Sequence, residues 1–536
     1  MRRSRTICAA FLLFSLSLWA GGAAAQRQSP NTYTNPVMAG DYPDPSVIRV
    51  GSDYWATATT GGWAPHFSIL RSTDLVNWST VGAVFQKRPA WVKGDFWAPE
   101  IREDAGRYFV FYTGRRDDGP GKRGTLCVAV ATASAPAGPY TDHGPLVCGI
   151  SERKNVGSID PFFVRDENNE PYLIWKADGN DAEPDEPTSI FAQRLSDDLQ
   201  KLLGKRKEIL RNTVTSWEKH VTEGSFILKR DGWFYHFYSG NACCGRSCDY
   251  ALGVARSRKL LGPWEKNPAN PILAANDAWQ CPGHGSIVTT ADGRDYLLYH
   301  AYRKSADAFH IGREALLDEV VWGDNGWPSI NAGRGPSGTA ATPVSAAARS
   351  TAQTEFFDGF TAPELDASWQ WPMSSEQTAR VDTAKGFLII EPSTRQSSDN
   401  LTGAVLAERA SSGDYVATTL VDTRSLTANA TAGLAAYSWR DNAVGVSVSR
   451  GQIFVWRRDG RDKQAGAGVP APSTPSVYLR MTVTGGEQFR FAFSPNGRNW
   501  VELGPVVHAP NIEGAHVALT AGGAGARFDW VKITTK

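Results

Sequence analysis

Five times between residues 44 and 300 the chain repeats one arrangement of polar and apolar positions. A polar residue precedes a short apolar strand, a Gly/Asp/Asn-rich turn follows, and a second, aromatic strand completes the unit. The copies are DPSVIRVGSDYWATAT from Asp44, EIREDAGRYFVFYT from Glu100, DPFFVRDENNEPYLIWK from Asp160, EGSFILKRDGWFYHFYS from Glu223 and HGSIVTTADGRDYLLYH from His284. The leading aromatics of the second strands are Tyr54, Tyr108, Tyr172, Phe234 and Tyr296, at steps of 54, 64, 62 and 62 residues. A period of about 60 residues with hairpin chemistry in each unit predicts a five-bladed β-propeller.

A weaker repeat has the same pitch. RSTDLVNW (71–78), ATASAPAGPY (131–140), QRLSDDLQKL (193–202) and ARSRKLLGPW (255–264) start 60, 62 and 62 residues apart. They read as the third strand and outer turn of successive blades, with GREALLDEVVWGDNGWP (312–328) as the fifth. The propeller is therefore expected over 31–331. From 332 to 353 the composition shifts to Gly, Ala, Ser, Thr and Pro without aromatics, which predicts a linker. Over 354–536 short strands resume without the 60-residue phrase, as expected of a β-sandwich. The fold class is all-β.

Composition narrows the partners. The 56 basic and 55 acidic residues nearly cancel, so no bulk charge favours nucleic acid or an anionic membrane. The 19 tryptophans suit either propeller core or flat faces for sugar rings. Residues 1–25 read as a signal peptide: early arginines, an apolar run from Ile7 to Ala20, and Ala23-Ala24-Ala25 before Gln26. The expectation is a secreted or periplasmic protein with no membrane association once the signal is removed. Six cysteines then remain, and an even number in an exported chain favours disulfides. The cluster CCGRSC at 243–248 lacks paired CxxC spacing and nearby histidines, so a local structural bridge is expected over a zinc site.

In a propeller the first strand of every blade lines the central channel, so Asp44, Glu100, Asp160, Glu223 and His284 converge at one mouth. Carboxylates gathered there push one another's pKa values apart, leaving one protonated while another is ionised. Glycosidic bond cleavage uses such a pair, an acid for the leaving oxygen and a base for water or direct attack. Any single residue of this kind can instead cap a turn. Glu100 is expected in such a supporting role.

The segments NPVMAGDYPDPSVIRVGSDYW, FWAPEI, GSIDPFF, TEGSFI and PGHGS resemble glycoside hydrolase family 43. The resemblance implies a five-bladed propeller that cleaves β-xylosides, α-L-arabinofuranosides or related linkages with inversion. It implies Asp44 as general base, Glu223 as general acid and Asp160 as the residue that orients the acid and tunes its pKa. Trp97 and Trp63 resemble walls of the terminal sugar subsite, with core packing as the other reading of Trp63. Arg313 resembles an arginine that contacts the sugar. His284 resembles a channel histidine that holds calcium through an ordered shell in some members; a hydrogen-bonded core role is the alternative. No cofactor is required, and a structural calcium is the one ion implied. The segment opening FFDGFTAPELDASWQW resembles the concanavalin-like sandwich appended to several exo-acting members; a carbohydrate-binding module or a purely structural sandwich are its rivals.

The expected activity is release of terminal β-D-xylose or α-L-arabinofuranose from plant cell-wall polysaccharide or oligosaccharide. Three alternatives stand beside it. One is the same fold acting on arabinan or galactan. A second is a retaining relative of the invertase and levansucrase type, disfavoured because Ile159 stands where that pattern has Arg. The third is a non-catalytic sugar-binding propeller.

Overall fold

The computed structural model describes residues 31–149, 156–181, 187–344, 354–373, 379–382, 386–392, 401–438 and 442–536. The expected signal peptide, 1–25, and the stretch 345–353 of the expected linker lie outside them. Among the described residues no helix is long and apolar enough to cross a membrane.

Five four-stranded antiparallel sheets follow one another in sequence. Their first strands are Ser46–Val50, Val92–Asp104, Gly157–Arg165, Thr222–Arg230 and Trp279–Thr289. Each of these packs on the next and the last packs on the first, which closes the ring of a five-bladed propeller. A blade has a neighbour on both faces, so its middle strands are apolar nearly throughout rather than alternating. In Leu126–Ala133 every residue is buried. The rings of Phe162 and Phe226 meet edge to face at 5.0 Å across the seam between blades three and four.

The ends of the propeller are tied together. Thr32–Thr34 pairs with Thr339–Ala341, and the Tyr33 hydroxyl donates to the Leu317 carbonyl in blade five. Residues 339–341, expected as linker, are thus a paired strand, because their backbone groups find partners in the chain's opening segment.

The C-terminal unit is a β-sandwich. One sheet is built around Ala526–Thr535, Tyr415–Asp422, Ser476–Thr484 and Gln488–Ser494. Its partner is built around Ala404–Arg409, His516–Gly522, Thr431–Ser438 and Asn442–Val448. Ser476–Thr484 shows why the first sheet has a wet face: its residues alternate between half-buried and buried.

The second sheet faces the propeller. Trp371–Pro372 pairs with Trp63–Ala64, Arg409 stacks on Tyr42 at 4.4 Å, and the Ala515 amide donates to the His310 carbonyl at 2.7 Å. The sandwich thereby braces the segment that leads into Asp44.

Candidate active site

The channel mouth is built from one backbone device used five times. In blades two to five the first strand slips register against the second, between Trp97 and Glu100, Ile159 and Phe162, Glu223 and Phe226, and Gly283 and Ser286. At these bulges Ala98, Asp160, Gly224 and His284 have φ of 43°, 53°, 61° and 44°. Asp44, just ahead of blade one, has φ 52°. A bulge with a left-handed residue re-aims the chain, and holding a non-glycine there costs about 1–3 kcal/mol. At Gly224 a Cβ would stand 3.0 Å from the His284 ring, so this position excludes a side chain.

These five bulge amides are satisfied by a common rule: each donates to a side chain of the preceding blade. Ala98 donates to Thr59 Oγ1 (2.7 Å), Asp160 to Thr113 Oγ1 (3.2 Å), His284 to Ser239 Oγ (2.9 Å) and Asp44 to His300 Nδ1 (3.0 Å). The Gly224 amide donates to the Asp160 carboxylate itself, at 3.0 Å. Buried amides without such partners would each cost about 1–3 kcal/mol.

Asp44 is ringed by donors and cations. Thr59 Oγ1 donates to its Oδ2 at 2.7 Å, and Arg313 Nη1 and His284 Nδ1 lie 3.2 and 3.3 Å from its Oδ1. Burial opposes its ionisation, but the Arg313 guanidinium and then His284 outweigh it, holding Asp44 well below the usual carboxylate range. Its ionised form is the one these neighbours favour.

Asp160 differs in its surroundings. Burial first, then the charges of Glu223 and Asp44, push it up to about 7 against the opposing pull of His284 and Lys176. Glu223 is gripped on both oxygens: Lys176 Nζ donates to Oε2 at 2.5 Å and the Tyr250 hydroxyl to Oε1 at 2.9 Å. Burial again favours its neutral form, but Lys176, His284 and Tyr250 prevail and lower it. Asp160 and Glu223 act on each other's ionisation and titrate as a pair.

The structure therefore gathers Asp44, Asp160, Glu223, His284 and Arg313, and gives Glu100 and Trp63 other partners. Glu100 sits two residues past the bulge of blade two, and its carboxylate pairs with Arg102 at 2.8 Å. Arg102 in turn lies over the rings of Phe162 and Phe226. Trp97 is half-buried beside that bulge. Trp63 is a correction as a sugar wall: it is 3% exposed and stacks on His516 of the sandwich at 3.9 Å. Strand pairing between the two units turned it there.

His284 faces Asp44 and, at 3.9 Å, Asp160; burial disfavours its charge, but these carboxylates raise its pKa. Among the described residues no group of three or more His, Cys, Asp or Glu is placed to hold a metal ion. The donors at His284 thus do not fit a directly ligated calcium.

Disulfides join Cys127 to Cys148, Cys243 to Cys244 and Cys248 to Cys281. The last ties the rim loop of blade four to the first strand of blade five. Cys243 and Cys248 pack against a cluster that contains Tyr250, the residue holding Glu223. Sequence reasoning missed Lys176, Tyr250, Thr59 and His300. Lys176 alone carried a signal, as a lone cation inside the apolar run LIWKAD.

Residues 33–328 match the family described as "Glycosyl hydrolases family 43", and residues 357–534 match "Beta xylosidase C-terminal Concanavalin A-like domain". The chain is 28% identical over 501 residues to "Xylosidase/arabinosidase 43B" of Humicola insolens, covering 89% of each chain. It is 25% identical over 510 residues to "Xylan 1,3-beta-xylosidase" of a Vibrio species, covering 89% of this chain and 91% of that one. Among solved structures, the GH43 BlXynB protein from Bacillus licheniformis is similar with a TM-score of 0.80 at 25% identity, covering 94% of this chain and 100% of that one.

Proposed function

The chain belongs to glycosyl hydrolase family 43 and is a glycosidase, and from that premise we propose that it is an exported, inverting enzyme releasing terminal pentose from plant cell-wall polysaccharide or oligosaccharide. The sugar is β-D-xylose or α-L-arabinofuranose, the two named among its relatives. The observation that carries the reading is the unequal surroundings of three carboxylates at one channel mouth: Asp44 against Arg313 and His284, Glu223 held by Lys176 and Tyr250, and Asp160 buried against the Gly224 amide. Asp44 takes a proton from water as that water attacks the anomeric carbon. Glu223, protonated in the reacting form, delivers its proton to the departing oxygen, and Asp160, which accepts from the amide after Glu223, fixes the acid's position and tunes its pKa. Trp97 offers a face to the sugar, and Arg313 holds Asp44 while reaching toward its hydroxyls.

Three disulfides suit an oxidising compartment and support export. One observation favours a second reading, in which Asp160 is itself the acid: burial and the neighbouring charges of Glu223 and Asp44 raise its pKa to about 7, whereas Lys176 holds the Glu223 carboxylate. Leaving-group dependence separates the two. Glu223→Ala should lose about 10²–10⁴-fold on xylo- or arabino-oligosaccharides and far less on aryl glycosides whose leaving group needs no proton. If Asp160→Ala shows that selective sparing and Glu223→Ala does not, the roles are exchanged. Wild-type inactivity on aryl xylosides, aryl arabinofuranosides, xylan, arabinan and galactan alike would overturn the pentosidase reading.

A further inference from the structure

The side chain opposite the residue that precedes each bulge follows a pattern around the ring. Trp97 pairs with Thr113, Glu223 with Ser239 and Gly283 with His300. Thr113, Ser239 and His300 are the acceptors that take the bulge amide of the following blade. In blade three the corresponding pair is Ile159 with Lys176. A lysine accepts no hydrogen bond. The next bulge amide, that of Gly224, goes to Asp160 instead, and Lys176 turns its ammonium on Glu223. The repeat is broken at the one position that faces Glu223.

Lys176 is 2% exposed, and its charge is divided between two carboxylates, Glu223 at 2.5 Å and Asp178 at 3.0 Å. Asp178 is itself buried, at the end of the same strand, Pro171–Asp178, and has no part in the chemistry described above. A buried cation between two carboxylates stabilises whichever of them is ionised. Removing one partner concentrates its effect on the other.

We propose that Lys176 and Asp178 form a positioning pair that sets the proton affinity of Glu223, Lys176 by holding the carboxylate and Asp178 by drawing part of that cation away. This rests on Glu223 being the acid. The remaining groups facing Glu223 are Tyr250 from blade four, His284 from blade five and Asp160 from blade three, and they are common to both variants of the test. For Glu223 to act it must bind a proton against Lys176, and Asp178 is the carboxylate that receives the ammonium when it does.

Two substitutions act in opposite directions. The acid must be protonated, so kcat/KM falls as pH rises through its pKa in the free enzyme. Lys176→Met removes the cation, raises the acid's pKa and should move the alkaline limb of the kcat/KM profile upward by about 1–3 pH units. Asp178→Asn leaves Lys176 facing Glu223 alone and should move the same limb downward. A residue that merely packs the site would scale the rate in both variants and leave the limb in place. If Lys176→Met fails to fold, Asp178→Asn still decides by the sign of its shift. A readout without turnover is the carboxyl band of Glu223, taken as the infrared difference from Glu223→Gln and titrated in each background. Limbs and infrared midpoints that stay put, or move the same way in both variants, overturn the proposal. An enzyme inactive on every pentoside refutes the functional reading instead, while the infrared titration still tests the pair.

Discussion

Replacing Glu100 by glutamine separates a carboxylate that holds the channel together from the carboxylates that do chemistry. Glu100 is buried, and its Oε1 lies 2.8 Å from Nε of Arg102. The guanidinium is sandwiched near Phe162 and Phe226, 4.2 and 4.9 Å from their ring centres, at the seam of blades three and four. Glu100→Gln keeps the shape and leaves the half-buried guanidinium without its carboxylate. Breaking a buried pair costs about 3–5 kcal/mol, an upper bound for this half-buried partner, whereas replacing both members with neutral groups is near neutral. At about 2 °C per kcal/mol, the lower figure suited to a unit of this size, Tm should fall by at most about 6–10 °C. Glu100→Gln combined with Arg102→Met should recover most of that loss. The assay is thermal unfolding of the three variants, paired with kcat on an aryl xyloside or arabinofuranoside well below Tm, where kcat should hardly change. A kcat lowered by 10²-fold or more with Tm unmoved would refute the structural role and place Glu100 among the reacting groups.

Other outcomes follow from the same geometry. Asp44 must be ionised to act, and Arg313 helps to keep it so, so the acidic limb of kcat/KM should lie below the ordinary aspartate value of about 3.9. Arg313→Met should raise that limb by about 1–3 pH units, and an unmoved limb in a pH-rate series would contradict Asp44 as base. Trp63→Ala opens a hole between propeller and sandwich and should cost about 3–5 kcal/mol, read as a lower Tm and faster proteolysis between the two units. An unchanged Tm with a raised KM would return Trp63 to the sugar site. Cys127→Ser with Cys148→Ser releases a loop closed over a separation of 21 residues and should lower stability by about 3 kcal/mol on the loop-closure relation, measured by thermal unfolding of the oxidised wild type beside the variant.

The propeller was legible because its hairpins repeat at one pitch and its turns are local. The set that meets at the channel mouth was legible too, but its register was not. Aligned by backbone, the equivalent positions are Asp44, Ala98, Asp160, Gly224 and His284, so Glu223 stands one residue before its blade's bulge and Glu100 two after. A one-residue bulge leaves no fixed mark on polar and apolar spacing, and the phrase therefore treated these five carboxylate and histidine positions as alike. Trp63 was unreadable for another reason. Its orientation depends on pairing with Trp371–Pro372, which is 308 residues away for the Trp63 to Trp371 step and joins it in a two-stranded sheet between the units. Lys176 was overlooked because a buried lysine gains meaning here only from Glu223, the carboxylate that the next blade brings to it.

The arrangement of the groups around the mouth carries the proposed function: Asp44 on one side, Glu223 on the other, and Asp160 linked to them through His284 and Gly224. The proposed single displacement by water assigns the base to the first and the acid to the second. Proton NMR of the sugar first released from an aryl β-xyloside or α-arabinofuranoside, recorded before mutarotation, tests it most directly. The account predicts the anomer of opposite configuration to the substrate; a product of retained configuration would contradict it and make one of the carboxylates a nucleophile.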